Sequence, residues 1–123
     1  MVNHQTIVDR DPLLSPEDLA ALQESLREQR LFREEQLRRL ATAPAPAGEP
    51  IRRLSAARTE VRVRLAASAR MVLADVEAAL DRMAEGRYGR CHLCRRPIDR
   101  ERLAIVPQAR YCARCQQVRE AGR

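Results

Sequence analysis

Tyr88 to Cys115 read YGRCHLCRRPIDRERLAIVPQARYCARC, and this stretch holds all four cysteines of the chain. They form two C-x-x-C pairs, Cys91/Cys94 and Cys112/Cys115, with 17 residues between them. Each pair makes a tight turn that aims two sulfurs at one point, and the intervening loop folds back to deliver the second pair. Such spacing suits a single tetrahedral metal ion, and four thiolates make a closed, structural Zn²⁺ site. Two redox pairs, two disulfides or four free thiols are the competing readings. A redox C-x-x-C normally sits in a βαβ setting, which the sequence lacks. Disulfides belong to exported proteins, and the first residues, MVNHQTIVDR, lack the charged start and apolar centre of an export signal. His92, inside the first pair, is a substitute donor that a full shell of four thiolates leaves facing outward.

Outward from the cysteines, composition limits what the remainder can be. The chain has 123 residues with one Phe, two Tyr and no Trp, and a third of it is charged. A large globular core is thereby excluded, while the abundance of Ala, Leu, Arg and Glu fits long helices pairing through a narrow seam. Charge is uneven. Residues 86–123 carry +7 and the rest −1, giving the total of +6. Four thiolates around one Zn²⁺ bring the basic end to about +5, a charge suited to an acidic partner, protein or nucleic acid. No apolar run approaches a membrane span of roughly 20 residues. Metal-spaced cysteines without an export signal indicate a reducing cytoplasm.

Three segments are expected. Residues 1–14 are a lead-in whose Ile7, Val8, Leu13 and Leu14 either dock at the base or remain disordered. Residues 15–85 form an antiparallel coiled-coil hairpin, and residues 86–123 form the zinc module with a short closing helix from Cys112 to about Glu120. Ser15 caps the first helix, Pro16 takes its first position and Asp18 completes a capping box. Leu19, Leu22, Leu26, Leu37 and Leu40 then share one face up to about Ala41. The segment 42–50, TAPAPAGEP, holds three prolines and a glycine, so it breaks the helix and forms the tip.

A second helix runs from about Ile51 to Glu85. Its expected seam is Ile51, Leu54, Val61, Leu65, Ala69, Val72, Val76, Leu80 and Met83, with Arg58 interrupting it. Folding at the turn pairs Leu40 with Ile51, Leu37 with Leu54, Leu26 with Leu65 and Leu19 with Val72. It also sets Arg33 against Arg58. At 1.5 Å per residue the helices are roughly 39 and 52 Å long, and the surplus of the second is expected at the base. Met83, Tyr88, Ile98, Leu103, Ile105 and Val106 are the candidate core of the zinc module.

A helical hairpin followed by Gly86-Arg-Tyr88-Gly89-x-Cys91-x-x-Cys94, Ile98, and Arg102-Leu103-x-x-x-Pro107-x-Ala109-x-x-Cys112-x-x-Cys115 resembles the DksA/TraR family of bacterial transcription regulators. The motif covers residues 86–115, whereas the hairpin match is architectural. The resemblance implies a mainly α protein whose zinc module sits at the base of a coiled coil. It implies further that the coiled coil enters the secondary channel of RNA polymerase and modulates initiation without catalysis.

Three departures qualify it. Family members acting on initiation carry two aspartates at the tip, in a D-x-x-D-x-A pattern. Here Glu49 is the tip's one acid, flanked by Arg38, Arg39, Arg52 and Arg53, the candidate partner-binding residues. The basic residues that hold guanosine tetraphosphate in the family are replaced by Val106 and Gln116, which puts that ligand in doubt. The glycine common after the second cysteine is Arg95. Two other readings remain open. The basic module can bind nucleic acid through Arg90, Arg95, Arg96, Arg100, Arg110 and Arg114, or the four thiolates can act as a redox or metal sensor. With no open metal position and no convergent acid–base set, an enzyme is not expected.

Overall fold

The structure, a computed structural model, describes residues 14–42 and 49–122, with the side chains of the second long helix described from Leu54 onward. Ile7, Val8, Leu13 and most of the expected tip lie outside the described residues. Two long helices, α1 (Pro16–Ala41) and α2 (Glu49–Ala84), are followed by the short α3 (Arg100–Ile105) and by α4 (Ala113–Ala121). The only β pairing among the described residues is one antiparallel bridge between Arg90 and Pro97.

Local chemistry sets the ends of the rod. The Ser15 hydroxyl accepts from the Asp18 N–H and the Asp18 carboxylate accepts from the Ser15 N–H, each at 3.0 Å. This reciprocal box satisfies two donors that a helix start leaves open, and Pro16 lacks an N–H to orphan. α2 stops at Gly86, whose φ of +76° is available to glycine without a Cβ clash. The Gly86 N–H donates to the Met83 carbonyl at 3.1 Å and the Arg87 N–H to the Arg82 carbonyl at 2.8 Å. Together these form a Schellman closure that turns the chain into the zinc module.

The helices pair through a seam that differs from the one their apolar residues trace. Leu26, fully buried, packs with Val76 and Ala79 rather than with Leu65. Higher up, Leu37, Leu40 and Ala41 share a groove with Thr59, Arg62, Val63 and Ala66. On α2 the facing positions Ser55, Arg62, Ala69, Val76 and Met83 recur every seven residues, interleaved with Ala66, Leu73 and Leu80, and all are buried or half-buried. A strict seven-residue repeat keeps one face on the partner helix in a supercoiled pair. Leu54, Val61 and Leu65 each sit one position before that repeat and are 55, 55 and 45% exposed.

The expected layers are therefore wrong by about three turns. α1 ends level with Thr59–Arg62, so α2 extends beyond it by roughly 15 Å at 1.5 Å per residue. The surplus lies at the tip end, not at the base. Arg33 does not meet Arg58; it donates to Gln36 Oε1 at 2.8 Å and lies 5.2 Å from the Phe32 ring centroid. The reason lies at the base. The start of α1 and the end of α2 are both fastened to the zinc module, and that anchoring fixes the register before the turn can.

The lower core joins the rod to the module. Leu22, Cys91, Ile98, Leu103 and Ala109 form its buried centre, with Leu14, Met83, Tyr88 and Val106 packed around it. Ile105, expected inside, is 81% exposed. It closes α3 two residues after Leu103, and that helical spacing turns it away from the face Leu103 buries.

Candidate metal centre and basic base

Each C-x-x-C is shaped by hydrogen bonds from the backbone. In the first, the Cys91 N–H donates to the Arg96 carbonyl at 2.9 Å and the Arg95 N–H to the Cys91 carbonyl at 3.0 Å. The Ile98 N–H returns to the Gly89 carbonyl at 2.8 Å, closing the loop around the bridge. In the second, Cys112 caps α4, and its sulfur accepts from the Cys115 N–H at 3.4 Å. The Leu93 N–H approaches the Cys91 sulfur in the same way at 3.4 Å. A link from the His92 N–H to the Arg110 carbonyl, 2.8 Å, holds the two halves side by side.

The four sulfurs lie within 4.8 Å of one another, and those of Cys94 and Cys112 are 3.9 Å apart. Sulfurs about 2.3 Å from a central tetrahedral zinc stand about 3.8 Å from each other. The donor set therefore fits one Zn²⁺ and leaves no position for substrate or water. None of the cysteines is disulfide-bonded. When bound, the ion supplies charge that holds all four sulfurs as thiolates and cross-links the module. Burial pushes the Cys91 thiol up, but the N–H groups of Cys94, Cys112 and Leu93 outweigh it and bring it down to about 6. Cys115 goes the other way, to about 12, through burial and the neighbouring sulfurs. Four sulfurs this close cannot all ionise without a cation between them. His92 is exposed and stands outside the sulfur cluster, its ring edge-on to Tyr111 with centroids 6.0 Å apart.

Ion pairs attach this centre to the rod. Arg100 Nη1 lies 3.0 Å from Asp18 Oδ2 and Arg110 Nη2 lies 3.0 Å from Asp75 Oδ1. Both arginines were candidate phosphate contacts, and both are engaged by carboxylates. Asp18 is held below the usual carboxylate range by the Ser15 backbone N–H first, then by Arg100. The Tyr88 hydroxyl donates to the Pro107 carbonyl at 2.8 Å, and burial raises its phenol to about 12.

At the far end, Arg38 and Arg39 both pair with Glu35, Arg39 through Nε at 3.0 Å, so one carboxylate offsets much of their charge. Glu49, Arg52 and Arg53 belong to the α2 backbone, and their side chains lie outside the described set. Val106 and Gln116 share a cavity with Arg102 and Arg110, but also with the carboxylates Asp75 and Glu120. Those acids make the cavity poorly suited to a polyphosphate.

One feature escapes a reading by motif. Arg82 is 5% exposed, and the signal for it was positional, since it lies three residues after buried Ala79 on the face that meets the module. Arg95, at the place where the family commonly has glycine, adopts φ +66°, the left-handed region that favours glycine. A left-handed non-glycine residue costs about 1 kcal/mol.

Residues 86–121 match the family described as the prokaryotic dksA/traR C4-type zinc finger. An uncharacterized protein of Aquifex aeolicus (strain VF5) is 38% identical over 52 residues, which span 41% of this chain and 36% of that protein's length. Among solved structures, transcription factor DksA2 from Pseudomonas aeruginosa shares the fold with a TM-score of 0.74, at 22% identity, over 95% of each chain. No helix among the described residues is long and apolar enough to cross a membrane. With its four cysteines at one point, the C-terminal module matches the dksA/traR C4-type zinc finger over residues 86–121, and the helical rod above it shares the fold of DksA2.

Proposed function

We propose that the chain is a cytoplasmic transcription regulator that binds RNA polymerase through its secondary channel and modulates initiation, with no catalysis of its own. The observation that carries this reading is the fold: a two-helix rod standing on a zinc module, alike over 95% of its length to a transcription factor. A rod of two helices is about 20 Å across with its side chains, slender enough to reach through a channel while the module stays outside. The tip-end extension of α2 adds reach. Its chemistry departs from an acidic tip, because Arg38 and Arg39 lie just before it and Glu49 is its one acid. The regulator therefore acts by occupying the channel rather than by presenting carboxylates near a metal ion. Guanosine tetraphosphate is not assigned to the cavity at Val106 and Gln116, given Asp75 and Glu120 in its wall.

The test is binding of the zinc-loaded chain to bacterial RNA polymerase, competed by another secondary-channel factor. A chain with residues 42–50 replaced by a neutral linker serves as the second arm. Competitive binding at micromolar protein that changes with the linker is the expected result. Binding to duplex DNA in place of polymerase would instead support a nucleic-acid role for the basic module, and no binding to polymerase defeats the proposal.

A further inference from the structure

The face where α2 ends and the first C-x-x-C begins encloses a cavity of about 570 Å³, lined by Arg82, Arg87, Arg90, Arg95, Tyr88 and His92. No carboxylate contributes to its wall, where the one anionic group is the Cys91 sulfur at its zinc-facing edge. It shares no residue with the cavity at Val106 and Gln116. Arg87 is paired with Glu85, but among the described residues no ion pair engages Arg82, Arg90 or Arg95.

We propose that this cavity is a binding site for a phosphate-bearing anion of the diphosphate class, held by the guanidinium groups of Arg82, Arg90 and Arg95 with Arg87 at its rim. Three observations converge on it. Arg82 is 5% exposed, and the carboxylate that acts on it, Asp75, is already held by Arg110 at 3.0 Å. Its guanidinium nitrogens are not cut off from solvent, so the charge opens on the cavity, where an incoming anion can pair with it. Arg95 keeps a side chain at φ +66°, where glycine would relieve the backbone; strain of this kind persists where the side chain serves a purpose. Arg90 Nη1 donates to the Arg95 carbonyl at 3.2 Å, which holds two of the guanidinium-bearing residues together.

Guanidinium forks match phosphate oxygens in pairs, and several forks around one space favour an anion with more than one charge. The concave setting selects a small ligand. A duplex presents its phosphates on a convex surface and cannot reach Arg82. This inference stands independently of polymerase binding.

The experiment is an amide NMR titration of the zinc-loaded full chain with inorganic phosphate and, separately, with ADP. Saturable shifts confined to Gly86–Arg95 at sub-millimolar ligand are expected from ADP. Tighter binding of ADP than of inorganic phosphate supports the proposal, and equal affinity for the two overturns the diphosphate assignment. Arg95→Gly should weaken binding by about tenfold, the loss of one charge-assisted contact, while its unfolding midpoint does not fall. Arg90→Ala should weaken binding similarly, and Arg114→Ala, outside the cavity, should not. Shifts that never saturate, or that spread equally to Arg96, Arg114 and Arg119, overturn the proposal. So does an Arg95→Gly protein that binds ADP as the parent does, or a short DNA duplex that shifts the cavity residues more than ADP.

Discussion

Leucine-to-alanine substitution at positions 26 and 65 separates the observed helix register from the one the apolar residues trace. Leu26 is fully buried against Val76 and Ala79, while Leu65 is 45% exposed. Removing the Leu26 side chain loses its transfer free energy and leaves a cavity between two helices held at fixed spacing, a cost of about 3 kcal/mol. For a chain of this size that lowers Tm by roughly 10–15 °C. Leu65→Ala removes a side chain already half in water, without a cavity, and costs about 1 kcal/mol or less. Unfolding in urea followed by far-ultraviolet circular dichroism, with zinc kept saturating, measures both. A double-mutant cycle adds the pairing. Leu26→Ala with Val76→Ala should depart from additivity by more than about 0.5 kcal/mol, and Leu26→Ala with Leu65→Ala should be additive. Equal costs at the two positions, or coupling between 26 and 65, would refute the register and restore the tip-proximal pairing.

Chelation of zinc should expose four titratable thiols and collapse the amide dispersion of Tyr88–Cys115, because the binding energy of a closed thiolate site is folding energy; a module that keeps its dispersion without metal contradicts this. Arg95→Gly should stabilise the zinc-loaded chain by about 1 kcal/mol by releasing the left-handed residue, read from its urea midpoint. Tyr88 has a phenol raised to about 12 by burial. Its neutral form is favoured by folding, so its contribution is fully present below the ordinary value near 10 and is lost as pH rises from there to about 12. Absorbance at 295 nm should show one of the two tyrosines titrating late, and Tyr88→Phe should abolish that step while costing about 1 kcal/mol through the lost bond to the Pro107 carbonyl. Removing either member of the Asp18–Arg100 pair should destabilise the chain, with the double variant no worse than Asp18→Asn alone; strictly additive losses at neutral pH would mean the pair does not act as one unit.

Much of this molecule is written in short-range chemistry. Ser15, Pro16 and Asp18 specify a helix start through bonds that span three residues, and Gly86 specifies its neighbour's end through one backbone angle. The C-x-x-C pairs are local turns too, so the meeting of Cys91, Cys94, Cys112 and Cys115 at one point could be read from spacing. Local rules reach only as far as the chain's own geometry. How α1 slides against α2 depends on which layers pack best along the whole rod and on what fastens its base. Leu54, Val61 and Leu65 look like seam because they are apolar; they stay in water because the Asp18–Arg100 and Asp75–Arg110 pairs and the core around Leu22 and Leu103 set the register from below. The same docking buries Arg82 and gathers Arg87, Arg90 and Arg95 around one cavity. No motif announces that gathering, because the end of a helix and a zinc turn become neighbours only after the module has packed against the rod.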